Sequence, residues 1–112
     1  MANSERGLAQ LDSLSRRLAG LFFTLIFSTM YSIYILFSLK TNKYYVGSTD
    51  DLHGRLKHHN AGSTPSTKSG APNWEIRYTE TVPDRIAALK RELAIKKKKS
   101  RNYIEWLIQN AD

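Results

Sequence analysis

A chain of 112 residues with 41% hydrophobic and 11% aromatic content can bury one compact core but not two independent ones. Its 17 Lys+Arg against 10 Asp+Glu give a formal charge of +7 and a pI near 9.8, an excess that favours phosphate polyanions or an anionic membrane surface. The absence of cysteine excludes a disulfide framework and a thiolate zinc site, and three histidines alone are a poor basis for a metal centre.

Residues 1–29 differ in character from the remainder of the chain. Met1 to Arg17 is polar, whereas Leu18 to Leu39 carries no charge over 22 positions and lies between Arg16-Arg17 and Lys40, so hydropathy offers it as a membrane span. Its second half argues otherwise, because Ser28, Ser32, Ser38, Tyr31 and Tyr34 dilute it and β-branched and aromatic residues dominate, as in a strand. A secretory leader is a second reading, although no small-x-small cleavage site precedes Tyr31. A true start at Met30 suits the abrupt change there best. The expected division is an extension at 1–29 and a domain at 30–112. The extension holds three Arg against Glu5 and Asp12, leaving 14 basic and 8 acidic residues in the domain, so the positive charge belongs to the domain.

Tyr31 to Leu39 reads as a buried strand and Lys43 to Ser48 as its hairpin partner across a turn at Thr41-Asn42. Gly47 then gives the backbone room to turn. Thr49 or Asp50 is the expected cap of a helix that carries Leu52 and Leu56 on one face and runs to about Asn60. Ala61 to Pro72, rich in Gly, Ser, Thr and Pro, reads as loop. Trp74 to Thr81 alternates as a strand, with Trp74, Ile76 and Tyr78 on one side. Pro83 at the first helical position and Asp84 in the first turn open a second helix whose expected core face is Ile86, Leu89 and Leu93. A last amphipathic helix, about Ser100 to Gln109, offers Tyr103, Ile104, Leu107 and Ile108, with Trp106 beside them. The expected fold class is α+β, a small three-stranded antiparallel sheet flanked by helices in the order β-β-α-β-α-α.

These residues resemble the GIY-YIG nuclease superfamily, in particular its small stand-alone bacterial members. The first motif stands as Ser32-Ile33-Tyr34 and the second as Tyr45-Val46-Gly47, with ten residues between the two tyrosines. Arg55 and His59 follow on the first helix, and Ala88-Leu89-Lys90-Arg91-Glu92 resembles the segment that bears the family's metal-binding glutamate. Ser32 replaces the first glycine and Val46 an isoleucine, and Asn102 is the candidate for an asparagine that some family nucleases carry near the end of the domain.

The resemblance implies a catalytic set of Tyr34, Tyr45, Arg55 and His59, with Glu92 holding a single Mg²⁺ or Mn²⁺. In that scheme Tyr34 or Tyr45 supplies a phenolate-type base, Arg55 contacts the scissile phosphate, and His59, one turn later, relays or positions a proton. Each has a plainer role: strand aromatics for the tyrosines, solvated helix residues for Arg55 and His59, and an i,i+4 pair with Lys96 for Glu92. The run Lys96, Lys97, Lys98, Lys99 with Arg101 is either a solubilising face or a phosphate-binding surface that Lys68 and Lys90 extend. The resulting expectation is a cytoplasmic monomer that cuts DNA with low sequence specificity, structure-selectively in repair or recombination, without a small-molecule cofactor or membrane partner, with RNA left open as the alternative nucleic acid. The alternative is a non-catalytic nucleic-acid-binding module of the same fold.

Overall fold

The computed structural model describes residues 14–21 and 30–111. Residues 14–21 are helical and solvent-exposed, and the readings of 1–29 as a leader or a misplaced start otherwise fall outside the described residues. The domain proper runs β1 (Tyr31–Ser38), β2 (Lys43–Thr49), α1 (Leu52–Asn60), a short 3-10 helix (Pro65–Gly70), β3 (Trp74–Val82), α2 (Arg85–Lys97) and α3 (Arg101–Gln109). The architecture is α+β with an antiparallel sheet in the order β2-β1-β3. Because Tyr31–Ser38 is the central strand, the uncharged stretch 18–39 is not one helix, and no helix among the described residues is long and apolar enough to cross a membrane.

As the central strand, β1 is buried on both faces, which is why it reads as a nearly continuous apolar run. Its alternation sends Ile33 and Ile35 to one side, where they pack with Val46, Ala88, Ile95 and Leu107, and Tyr34 and Leu36 to the other, where they meet Trp74, Leu52 and Leu56. Thus α1 and the 3-10 helix cover one face, while α2 and α3 cover the other. The hairpin turn places Asn42 at φ 58°, a left-handed conformation that asparagine tolerates.

Three expectations about local structure are corrected. The cap of α1 is Asp51, whose carboxylate accepts from the Gly54 N–H at 3.1 Å, while Thr49 belongs to β2 and its hydroxyl instead accepts from the Asp51 N–H. Likewise Asp84 caps α2 by accepting from Ala87, so Pro83 stands outside the helix. In β3 the pairing shifts: Ile35 faces Tyr78 while its neighbour Leu36 faces Ile76, leaving Arg77 as the additional residue. That bulge reverses the side-chain alternation, so Trp74 and Ile76 pack with Tyr34 and Leu36 but Tyr78 lies on the opposite face with Ile33 and Ile35.

The largest departure concerns α2. Ile86, Leu89 and Leu93 are 67%, 44% and 63% exposed, whereas Ala88 and Ile95 are buried. The inward face is chosen by polar partners as well as apolar ones: Arg91 Nε donates to both carboxylate oxygens of Glu80 on β3, at 3.1 and 2.9 Å, and Glu92 accepts from Ser48 on β2. Ala88 lies between these contacts and has no bulk to hold the helix away from the sheet. In α3 the inward residues are as expected, with Leu107 buried and Trp106 56% exposed.

The segment 61–72 is more than a loop. Its 3-10 helix buries Thr67, the Thr67 carbonyl accepts from Trp74 Nε1 at 2.8 Å, and the Asn60 amide pairs with both backbone groups of Trp74, at 2.9 and 2.8 Å. The end of α1 is thereby fixed to the start of β3, which sets the height at which Arg55 and His59 stand over the sheet.

Candidate active site

A polar cavity of about 400 Å³ opens at the edge strand β2. Tyr34, Tyr45 and Arg55 enter its lining from the α1 side of the sheet, and Glu92 with Arg85 and Leu89 enters from α2. The two sets meet around the edge of the sheet, with Gly47 and Ser48 between them. Four residues singled out from the sequence therefore share one hollow.

Gly47 lies within β2, paired with Tyr34, and the chain turns only after Thr49. A Cβ at Gly47 would run into the Tyr34 hydroxyl and ring, so what the glycine provides is close approach by an aromatic side chain, not a turn. Gly47→Ala is expected to displace that ring and cost about 1–3 kcal/mol, the usual penalty for overpacking. Urea unfolding measures it, and a variant as stable as the parent would show that the ring is not held by this contact.

Behind the cavity wall His59 is 1% exposed. Tyr34 donates its hydroxyl hydrogen to His59 Nε2 at 2.9 Å, and His59 Nδ1 lies 2.7 Å from Thr67 Oγ1, which is 3.4 Å from the Thr64 carbonyl. Since that carbonyl can only accept, the network assigns the proton of neutral His59 to Nδ1 and leaves Nε2 to accept from Tyr34. Burial, then the positive charges of Arg55 and His58, push His59 down from 6.5 to about 4, so the ring is neutral near pH 7. Burial and the neighbouring Tyr45 push the Tyr34 phenol up, while Arg55 pulls the other way without prevailing.

Glu92 is held at both oxygens: Oε1 accepts from Ser48 Oγ and Oε2 from Lys96 Nζ, each at 2.7 Å. The Lys96 ammonium also lies 5.7 Å from the centre of the Tyr45 ring. Among the described residues no cluster of three or more His, Cys, Asp or Glu side chains could cage a metal. A single carboxylate in a polar hollow nonetheless suits Mg²⁺, which keeps most of its waters and takes one or two protein oxygens. Of the pair that Glu92 makes, the Lys96 half is the labile one, because an exposed i,i+4 ion pair contributes only about 0–1 kcal/mol.

The basic residues divide. Lys96, Lys99 and Arg101 line a second hollow next to the first. Lys98 sits 5.4 Å from the Tyr103 ring, and Lys68, Lys90 and Lys97 are exposed but line neither hollow. Arg101 is heavily engaged: it donates to the Asn42 carbonyl at 2.7 Å and to Asn42 Oδ1 at 3.2 Å, and pairs with Glu105. Asn102 is exposed on α3 and lines neither hollow.

A model of the GIY-YIG catalytic domain matches residues 30–104. The chain belongs to the GIY-YIG family. This membership brings a nuclease-type function, a nucleic-acid substrate and the family's general use of a divalent metal. The chain is also 31% identical over 67 residues to a UPF0213 protein of Halobacterium salinarum, a match covering 60% of this chain and 86% of that one. Among solved structures it is similar to the solution NMR structure of a UPF0213 protein from Bacillus halodurans, at 28% identity and a TM-score of 0.45, covering 71% of this chain and 83% of that one.

Sequence reasoning missed several GIY-YIG site neighbours. Arg85, Ser48 and Asp50 line the cavity, and Thr67 and Asn60 support it from behind. Ser48 was readable in principle, since its place opposite Ile33 puts it on the α2 face of the hairpin. Thr67 was not, because its partners lie on other elements.

Proposed function

We propose that this GIY-YIG domain is a divalent-metal-dependent endonuclease that hydrolyses DNA phosphodiester bonds with low sequence specificity, acting on structured DNA as in repair or recombination. The observation that carries the reading is the shared cavity: two phenols, a guanidinium and a carboxylate, drawn from two faces of the sheet, line one polar hollow. Packing alone gives no reason for that convergence.

Each group has a role consistent with its surroundings. Arg55 offers a forked cation to the scissile phosphate and stabilises charge that grows on its oxygens. Glu92 would hold Mg²⁺ or Mn²⁺, which when bound supplies Lewis-acid stabilisation of the phosphate oxygens. Tyr34 is kept protonated by burial and already gives its hydrogen to His59, so it serves to orient through its remaining lone pairs. Tyr45 is less buried and faces the hollow, and we assign its phenolate, formed by release of the phenol proton to solvent, to accept the proton of the attacking water. His59, neutral and fixed by Thr67, positions Tyr34 from behind.

A nicking assay on supercoiled plasmid with Mg²⁺ tests the assignment. Tyr45→Phe is expected to slow nicking by about 100- to 10,000-fold, the range for loss of a general base, and Tyr34→Phe by clearly less. A larger loss in Tyr34→Phe than in Tyr45→Phe would reverse the roles of the two phenols, and equal losses would remove the distinction between them. A purified protein that binds DNA and leaves plasmid, branched and single-stranded substrates uncut would instead be the binding module of this fold.

A further inference from the structure

The second hollow, about 450 Å³, adjoins the active site: Tyr45 lines both, and Lys96 spans from one to the Glu92 of the other. Its floor is apolar, built from Val46, Ile95 and Ile104, and its side is formed by the rings of Tyr44 and Tyr45. Around it stand Lys43, Lys96, Lys99 and Arg101, and among the described residues no carboxylate lines it. The start of α3, at Ser100 and Arg101, also borders it and adds the positive end of a helix dipole.

Two details show that this cationic rim is arranged and not incidental. Arg101 is locked by Asn42 and Glu105 with its guanidinium 4.9 Å from the centre of the Tyr44 ring, so one wall is a cation already held over an aromatic ring. Lys99 has φ 49° just beyond α2, a left-handed position in which glycine is the favoured residue. A lysine there is unfavourable for the backbone, a cost that a use for its cation at the rim accounts for.

We propose that this hollow takes one unpaired nucleotide next to the scissile phosphate, its base over the apolar floor and its phosphates on Lys43, Lys96 and Lys99. The proposal rests on the nuclease reading and narrows its substrate class to strands with a single-stranded segment beside the cut. A duplex presents phosphates to a cationic surface but keeps its bases stacked inside, so it has no part that fills an apolar floor. An unstacked nucleotide supplies both a flat apolar face and a phosphate, the combination that single-strand grooves recognise.

Binding to the full chain in EDTA, read by anisotropy of a fluorescein-labelled short oligothymidylate and of a blunt duplex, separates the cases without any need for cleavage. Ile104→Trp, which fills the floor, and Lys99→Gly, which removes the cation while relaxing the backbone, are each expected to weaken oligothymidylate binding by about tenfold, in keeping with loss of one stacked base or one phosphate contact. Duplex affinity is expected to change far less, and Lys99→Gly is expected to melt no lower than the parent, which shows that its loss of binding is not unfolding. Unchanged oligothymidylate affinity in Lys99→Gly, or equal losses for both ligands in both variants, would overturn the proposal. If the parent nicks plasmid while these variants still bind the oligonucleotide normally, the nucleotide site fails and the nuclease reading stands. If the variants lose the oligonucleotide selectively but the parent cuts nothing, the opposite holds.

Discussion

Glu92→Gln is expected to reduce nicking by roughly 100- to 1,000-fold, the equivalent of several kcal/mol of transition-state stabilisation, with little change in melting temperature. Glutamine retains an oxygen able to accept from Ser48, so the contact that ties α2 to β2 survives. What is lost is the charge, and with it the Lys96 pair, which contributes little because its ammonium end is solvent-exposed. The same reasoning assigns Ser48→Ala a smaller effect: Glu92 keeps its charge but not its orientation, so the variant should need more Mg²⁺ to reach half-maximal rate. Plasmid nicking across a Mg²⁺ titration, with thermal melts of each variant, measures both. A Glu92→Gln protein that nicks like the parent would remove Glu92 from the chemistry and leave its contacts with Ser48 and Lys96 as its role.

The two roles of Glu92 that compete in the sequence, helix-surface partner and metal ligand, are reconciled by geometry. Ser48 holds one oxygen from below, and Lys96 covers the other from the solvent side. Were a divalent cation to bind in the hollow, Glu92 would hold it with a carboxylate that Ser48 already positions, in place of the Lys96 ammonium.

The hairpin and its motifs were legible because their signals are local. Two β-rich runs flank a turn, and strand pairing follows from the turn, so Tyr34 falls opposite Gly47 and Tyr45 opposite Leu36. The face of α2 was not, because apolar spacing identifies a stripe without saying whether the sheet offers it a place. Here Glu80 and Ser48 claim Arg91 and Glu92, and the Ile86, Leu89 and Leu93 stripe is turned outward. The side of Tyr78 was lost to a single bulge at Arg77, which no composition rule marks. Thr67 looked like a residue of a polar loop and Asn60 like a polar helix end, and only long-range contacts make them supports of the site. The positions of the phenols could thus be read, but not what holds them.

That support makes acid the condition under which the domain should fail first at His59. In the folded chain its pKa lies near 4, against the ordinary histidine value of 6.5 once the chain unfolds, so between those two pH values the unfolded chain binds a proton that the native one does not. The contribution is therefore fully present above pH 6.5, falls as the pH drops, and is lost as pH approaches 4. Its full size is on the order of 3 kcal/mol, at about 1.4 kcal/mol per unit. Protonation also puts a hydrogen on Nε2, where Tyr34 now donates, so the phenol must release its partner in the same pH range. Carboxylates elsewhere add their own acid sensitivity, and the comparison that isolates His59 is between the parent and His59→Gln. The variant is expected to be less stable at neutral pH, by about 1–3 kcal/mol for imperfectly satisfied Tyr34 and Thr67 hydroxyls, but to lose less on acidification. Urea midpoints near pH 7 and near pH 4.5 give the difference, and parallel acid losses in the two proteins would show that His59 does not carry it.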